Sequence, residues 1–552
     1  MRYCLYLICG AILICLATTT PATAAVMLAG GHLPVCSSMA PAQCSGSTDW
    51  TEQALDEHRF RIDTEALRRW TEAVDQSADQ SMARDWLQLL VHLRDDDGRW
   101  QTRAELAALI RSTRLSFPDQ ADREDILGEA LYQTADHQQW MRLLDHFQQP
   151  VGDRREQVKL AHSRNSASVE VFERFVAMAA ALSERPRPLI AVSTASSRDP
   201  YDALDFYLQV FEQAGAEVIW LPLDAAVHRA RELGQCEQLA EFQASELGSH
   251  DRQRVWPRQY EQQVRFCSES EAGIKLVDKI DGLFLNGGDQ WLTLHAFRAA
   301  DGAPTPELER VLLRLESGKL ALGGTSAGAA VQSGAAMISN GGNQAALLYG
   351  AKASPPPPPG CQRSGRCPQG LDGDSLTYHL PGGLGSVPFA IVDTHFSERQ
   401  RQIRLLRLLT DSQQRLGIGV DETTALIIKP LPGSSFRLEA IGASSAWVFE
   451  RTHHDTAKLH RLTSGAKLTM DLAAAAPTFP ENTAADPACR PFDWSKSFNE
   501  LLASAGSKGH SRWCLEPGRN RRFALSLEQL SAPGAGVQGF VMRLEALEHE
   551  AH

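Results

Sequence analysis

Positive charge is in short supply. Across 552 residues, 55 Lys and Arg face 67 Asp and Glu, a formal net charge of −12. A chain of that balance lacks the basic face that phosphate backbones require, which argues against nucleic acid as a partner and is compatible with a cationic ligand. Long apolar runs are scarce too: apart from Leu5 to Leu16, no stretch is long and apolar enough to span a bilayer. No C-x-x-C pair and no His/Cys cluster falls at metal-ligand spacing, so no metal and no cofactor are expected, and His453, His454, His549 and His552 read as solvated.

What is there begins with a secretory leader in outline: Arg2, the apolar run, then Pro21-Ala22-Thr23-Ala24-Ala25 as a small-residue cleavage region. The expected localisation is secreted or periplasmic. Neither Cys9 nor Cys15 follows the small residue that a lipoprotein leader would place there, so no membrane anchor is expected. Of the 11 cysteines, Cys4, Cys9 and Cys15 would leave with the leader. The rest fall into near pairs, Cys36 with Cys44, Cys236 with Cys267, Cys361 with Cys367 and Cys489 with Cys514. An even count in an exported chain favours disulfides, each here in a loop.

The most informative segment is Gly324-Thr325-Ser326-Ala327-Gly328. The apolar run Lys319 to Gly323 before it suits a buried strand, and Ala329 to Gln332 after it can open a helix, so Ser326 sits where a strand-to-helix turn would expose a nucleophile. A packing turn of small residues with no chemistry would read the same way from five letters alone. Three further strand-like segments end in chemistry-bearing residues: Gly282 to Leu285 runs into Asn286-Gly287-Gly288-Asp289-Gln290, Phe389 to Val392 into Asp393-Thr394-His395, and Gly417 to Val420 into Asp421-Glu422. Ligands in open α/β sheets bind beyond the carboxyl ends of strands, so the two glycine turns, at Gly287-Gly288 and at Gly324 to Gly328, should open onto one crevice. The order nucleophile, His, acid is not the Ser, acid, His order of α/β-hydrolases.

These residues resemble the cyanophycinases and, more broadly, the serine peptidase family that includes aspartyl dipeptidase. The matching pieces are Thr194-Ala195-Ser196-Ser197, Gly287-Gly288-Asp289-Gln290, Gly324 to Ala329, Asp393-Thr394-His395-Phe396 followed by Arg399, Arg401 and Arg404, and Asp421 to Leu426. Five motifs stand in the family's order, over roughly residues 26–44 and 165–475. The resemblance implies a doubly wound, mostly parallel α/β sandwich related to class I glutamine amidotransferases. It implies Ser326 as nucleophile, His395 as base and Glu422 as orienting acid, with Asp421 the competitor for that last role. Backbone N–H groups of Gly288 and Ala327 would form the oxyanion hole. Asp289, Gln290, Asp393, Arg399, Arg401 and Arg404 would contact substrate, Asp289 and Asp393 alternatively capping local turns and the arginines alternatively forming surface salt bridges. The implied activity is hydrolysis of multi-arginyl polyaspartate to β-Asp-Arg dipeptides. A peptidase of other aspartyl or isoaspartyl peptides is the near alternative, and a catalytically silent binding protein the distant one. Thr394 stands where cyanophycinases usually carry Gln, which weakens polymer specificity more than the reaction itself. A homodimer is compatible with the resemblance.

The expected organisation is a leader at 1–25, a first strand at 26–44, a helical insertion at 45–164, the catalytic domain at 165–475 and a small β addition at 476–552. Leu67, Trp70 and Val74, then Trp86, Leu90 and Leu93, follow helical spacing, and a further helical stretch covers Ile126 to Phe147. From Pro188 onward strand-like and helix-like segments alternate, the pattern of a parallel sheet with helices on both faces. Pro355 to Pro359 and the Gly-rich run to Gly373 mark an exposed loop.

Overall fold

The structure, a computed structural model, describes residues 25–74, 80–117, 124–453, 455–475, 479, 490–505, 510–518 and 521–547. The leader, His454, Cys489, His549 and His552 lie outside them. The fold is mixed α/β. Its first sheet has eight strands in the spatial order Lys467–Asp471, Ser435–Gly442, Thr424–Pro430, Val26–Ala29, Ala321–Thr325, Gly282–Leu285, Leu189–Ser193 and Glu217–Leu221. The five from Val26–Ala29 onward are parallel and the other three join antiparallel. Near-continuous apolar runs such as Val26-Met27-Leu28-Ala29 are what a strand covered on both faces requires.

Period-two alternation sorts those side chains. Met27, Phe284 and Ile427 face a core shared with Phe172 and Phe175 of the helix Ser166–Ala180. Leu28, Leu426 and Leu438 face the opposite way, onto Val392, Ile418 and Val448. Those last three belong to a second eight-stranded sheet, which begins with the parallel pair Ala390–Thr394 and Leu416–Val420 and continues mostly antiparallel. Its outer face packs on the helix Gln402–Asp411, through Leu405, Leu406 and Leu409.

Strands His510–Gly518, Arg521–Gly534 and Val537–Leu547 extend the second sheet, Val537–Leu547 pairing with Thr456–Thr463. Residues between the first strand and Ser166 fold as helices Thr64–Val74, Gln80–His92, Arg103–Ser112, Gly128–Thr134 and His137–Phe147, around a core of their own that includes Leu67, Trp70, Trp86 and Leu90. The segment is not all-α. Arg59–Phe60 pairs with Gln101–Thr102, and Arg114–Leu115 with Ile126–Leu127, so the expected helical stretch from Ile126 starts as a strand and breaks at Asp136, which caps His137–Phe147.

Three expected disulfides are formed, Cys36–Cys44, Cys236–Cys267 and Cys361–Cys367. Among the described residues no helix is long and apolar enough to cross a membrane.

Candidate active site

Ser326 ends the Ala321–Thr325 strand at φ 52° and ψ −115°, a left-handed conformation that costs a non-glycine residue ~1–3 kcal/mol. Its surroundings hold it there. The Ser326 N–H donates to the Ala29 carbonyl at 2.9 Å. A Cβ on Gly324 would come within 2.2 Å of the Gly328 carbonyl oxygen, and one on Gly328 within 2.3 Å of the Leu285 oxygen, so both glycines of the pentapeptide are required by close backbone approach. The helix behind the serine, Ala327–Ala330, is a single turn.

The Ser326 hydroxyl lies 2.8 Å from His395 Nε2, and His395 Nδ1 lies 2.7 Å from Glu422 Oε1. A carboxylate only accepts, so Nδ1 carries the ring proton and Nε2 is left to accept from the hydroxyl. Serine and histidine come from different sheets: Ala321–Thr325 belongs to the first, while Ala390–Thr394 and Leu416–Val420, which lead to His395 and Glu422, belong to the second. Burial lowers the imidazole pKa, as do Arg399 and Arg401, against the opposing pull of Glu422. The ring is therefore a neutral base near pH 7. Asp421 is fully buried and committed elsewhere, accepting from the N–H groups of Ser397 and Ser445, the Ser444 hydroxyl and the Asn499 amide.

A turn that sequence reasoning gave no role, Gly30-Gly31, joins these pieces. The Gly30 carbonyl accepts from His395 N–H at 2.8 Å, the Gly31 carbonyl from Thr423 N–H at 3.0 Å, and Gly30 N–H donates to the Thr424 carbonyl at 2.9 Å. Gly31, at φ 103°, lies flat against the imidazole: a Cβ there would stand 2.5 Å from Nε2. A glycine pair directly after a buried strand was the available signal. Glu398 was also missed. Its carboxylate accepts from Glu422 N–H at 3.2 Å, and burial, then Asp421, push its pKa up to about 7.

Ser326 opens onto a cavity of about 260 Å³ lined also by Gly288, Gln290, Ala327, Asp393, His395, Arg399, Arg401 and Arg404. Gly287 packs beside the serine, where an added Cβ would lie 3.4 Å from the Ser326 Cβ. Among the described residues neither the Gly288 nor the Ala327 N–H has an acceptor within the protein. Two unpaired donors on one small cavity, next to a hydroxyl, suit an oxyanion.

Asp393 is engaged by the protein's own arginines. Arg404 grips it through Nε at 2.8 Å and a second nitrogen at 2.5 Å, and Arg401 approaches at 3.3 Å while donating to the Thr394 carbonyl at 2.6 Å. Two guanidinium groups share one carboxylate, so the floor of the cavity holds surplus positive charge. Burial, then Arg404, lower the Arg401 pKa to about 9. Arg399 is exposed and, among the described residues, has no acidic partner. Gln290 lines the cavity and donates to the Ile338 carbonyl at 3.0 Å. Asp289 does not line it. It caps the helix Gln290–Phe297 by accepting from Trp291 N–H and faces a larger neighbouring cavity.

No family model matches the chain. Over 241 residues, 44% of its length, it is 30% identical to a cyanophycinase from Geminocystis herdmanii, of which the match spans 63%. Over 240 residues it is 30% identical to the cyanophycinases of Trichormus variabilis and of a Nostoc species, spanning 57% of each. The chain thus spans less than two thirds of the length of these relatives. The resemblance read from its motifs holds: over this stretch the chain is similar to curated cyanophycinases.

Proposed function

We propose that this chain is an exported serine peptidase of the cyanophycinase type, hydrolysing multi-arginyl polyaspartate to β-Asp-Arg dipeptides through an acyl-enzyme. The observation that carries this reading is the hydrogen-bonded line Ser326, His395, Glu422 at the edge of a cavity with two unpaired backbone donors. His395 Nε2 takes the Ser326 proton as Oγ attacks the scissile carbonyl, and Glu422 stabilises the imidazolium. The oxyanion is held by the N–H groups of Gly288 and Ala327, each such donor supplying ~3–4 kcal/mol in comparable sites. His395 then protonates the leaving amine, and water enters along the same proton path to release the acyl group.

The arginines support an acidic peptide. Among the described residues Arg399 has no acidic partner and Arg401 has only a share of Asp393, so a substrate carboxylate would find unspent positive charge. Three disulfides and the leader-like N-terminus support export. The face-to-face sheets are compatible with a sandwich of the class I glutamine amidotransferase kind. A second reading, hydrolysis of other aspartyl or isoaspartyl peptides, is favoured by one observation: Thr394 stands where the family's glutamine would help hold the polymer.

The test is incubation of the purified protein with cyanophycin and with a panel of aspartyl and isoaspartyl dipeptides, products being identified by mass. Ser326→Ala should abolish hydrolysis in a protein that stays folded. Release of dipeptides by that variant at the wild-type rate would end this mechanism, and cleavage of the dipeptide panel alone would favour the second reading.

A further inference from the structure

A cavity of about 930 Å³ separates the helical segment from the core. Trp70, Trp86, Asp136 and Arg142 line it from the helices, while Ser196, Arg198, Glu246, Gly288 and Asp289 line it from the core side. Gly288 also lines the Ser326 cavity, so the two spaces meet at a proposed oxyanion donor. The volume is that of a ligand site.

Its charge is unevenly satisfied. Among the described residues Asp136, Glu246 and Asp289 have no Lys or Arg partner: Asp136 accepts from Gln139 N–H, Asp289 from Trp291 N–H and Glu246 from the Ser245 hydroxyl. Asp199 and Asp202 are paired with Arg252 and His58. Of the cations in the wall, Arg198 is paired with Asp145 through bonds of 2.7 and 2.9 Å and Arg366 is itself engaged, while Arg142 donates to the neutral Ala73 carbonyl and keeps its charge, so Asp136, Glu246 and Asp289 still outnumber it. Unspent carboxylates on the wall of such a cavity are chemistry for a guanidinium, whose planar fork pairs with a carboxylate through two donors. The positive floor of the Ser326 cavity and this negative annex are opposite in sign, as the aspartyl backbone and arginyl branches of one polymer are.

We infer that the cavity between the helical segment and the core is a second substrate-holding site, which takes arginine side chains of the polymer beyond the bond positioned at Ser326. The identity of the polymer rests on the function proposed above; the affinity for guanidinium groups does not. The helical segment thereby gives the enzyme a preference for long chains over two-unit fragments.

The experiment measures binding to the full-length Ser326→Ala protein of two probes, a tetra-arginine peptide and multi-arginyl polyaspartate, against Glu246→Arg and the milder Glu246→Gln in the same background. Glu246 is exposed on a short helical turn, so both variants should fold, which their melting curves check. Charge reversal should weaken tetra-arginine by ~tenfold or more, the loss of one charge-assisted contact, with Gln intermediate. It should also erase the gain in affinity of long over short polyaspartate chains. Equal affinities in all three proteins for both probes would overturn the inference, whatever the wild-type enzyme hydrolyses. Loss of tetra-arginine binding in the reversal variant, with no hydrolysis of cyanophycin by the wild type, would uphold the cation site and overturn the proposed function.

Discussion

Exchanging the two adjacent carboxylates separates stability from catalysis. In Asp421→Asn the amide oxygen would turn toward the Ser444, Ser445 and Asn499 donors now held by Oδ2, leaving NH₂ opposed to the Ser397 N–H that Oδ1 now accepts at 2.9 Å. A buried donor stripped of its acceptor costs ~1–3 kcal/mol, and the other three bonds lose their charge assistance. The expected total is ~3–5 kcal/mol of stability, read as a lower urea midpoint at unchanged m-value. Glu422 makes one contact of consequence, to His395 Nδ1, and is a quarter exposed, at 26%. Glu422→Gln should therefore leave the urea midpoint nearly in place and lower kcat by ~10²–10⁴-fold, because a neutral amide neither fixes the tautomer nor stabilises the imidazolium. The assay is steady-state hydrolysis of a β-Asp-Arg oligomer beside equilibrium unfolding. The reasoning fails if Asp421→Asn, at wild-type stability, loses as much turnover as Glu422→Gln.

Three further outcomes are expected. Gly31→Ala would drive a methyl group into the His395 ring, so kcat should fall by ~tenfold or more while secondary structure persists, and wild-type turnover would show that the turn does not set the ring. The acid limb of kcat/KM should have its midpoint below the ordinary histidine value of ~6.5, because burial holds the His395 pKa down; Glu422→Gln, which removes the upward pull, should move the limb lower still, and a shift upward would contradict the assignment. His146 and His250, whose rings lie 5.9 Å apart, are held neutral by burial, with pKa values lowered to about 3 and about 4. Unfolded histidines titrate near ~6.5, so stability should be full above that pH and decline as pH falls toward 4; a His146→Leu variant with an unflattened acid slope in urea unfolding would refute this.

The core strands were legible because each is a short apolar run closed by glycine or a polar turn. That pattern carries its own signal, and the turns at Gly287-Gly288, Ser326, His395 and Glu422 were found with them. What could not be read was which strands share a sheet. Leu28 and Val392 have the same apolar character whether they belong to one layer or pack across two, so the division of serine from base and acid became visible only in the pairing. Gly30-Gly31 escaped for a related reason: its requirement for glycine is imposed by residues far along the chain, the Val420 and Asp421 carbonyls at Gly30 and the His395 ring at Gly31. Asp393 and Asp289 were open choices because an Asp at a strand end or helix start serves as cap, ion-pair partner or ligand with equal ease. Geometry divided them, sending Asp393 to Arg404 and Asp289 to a helix cap. The C-terminal strands were visible as strands, but nothing local marked Thr456–Thr463 as their neighbour.

The placement of Val26–Ala29 has a consequence for the order in which the chain acquires its activity. This strand is made before the other described strands, yet its two partners lie beyond residue 320 and beyond residue 420: Val26 pairs with Leu322 on one side and Ile428 on the other. Contacts so distant in sequence form late, since the intervening loop must close before they contribute. Until then Ser326 lacks the Ala29 carbonyl that pins it, and His395 lacks Gly30. A chain interrupted before Glu422 therefore carries Ser326 without the complete hydrogen-bonded line through His395 to Glu422.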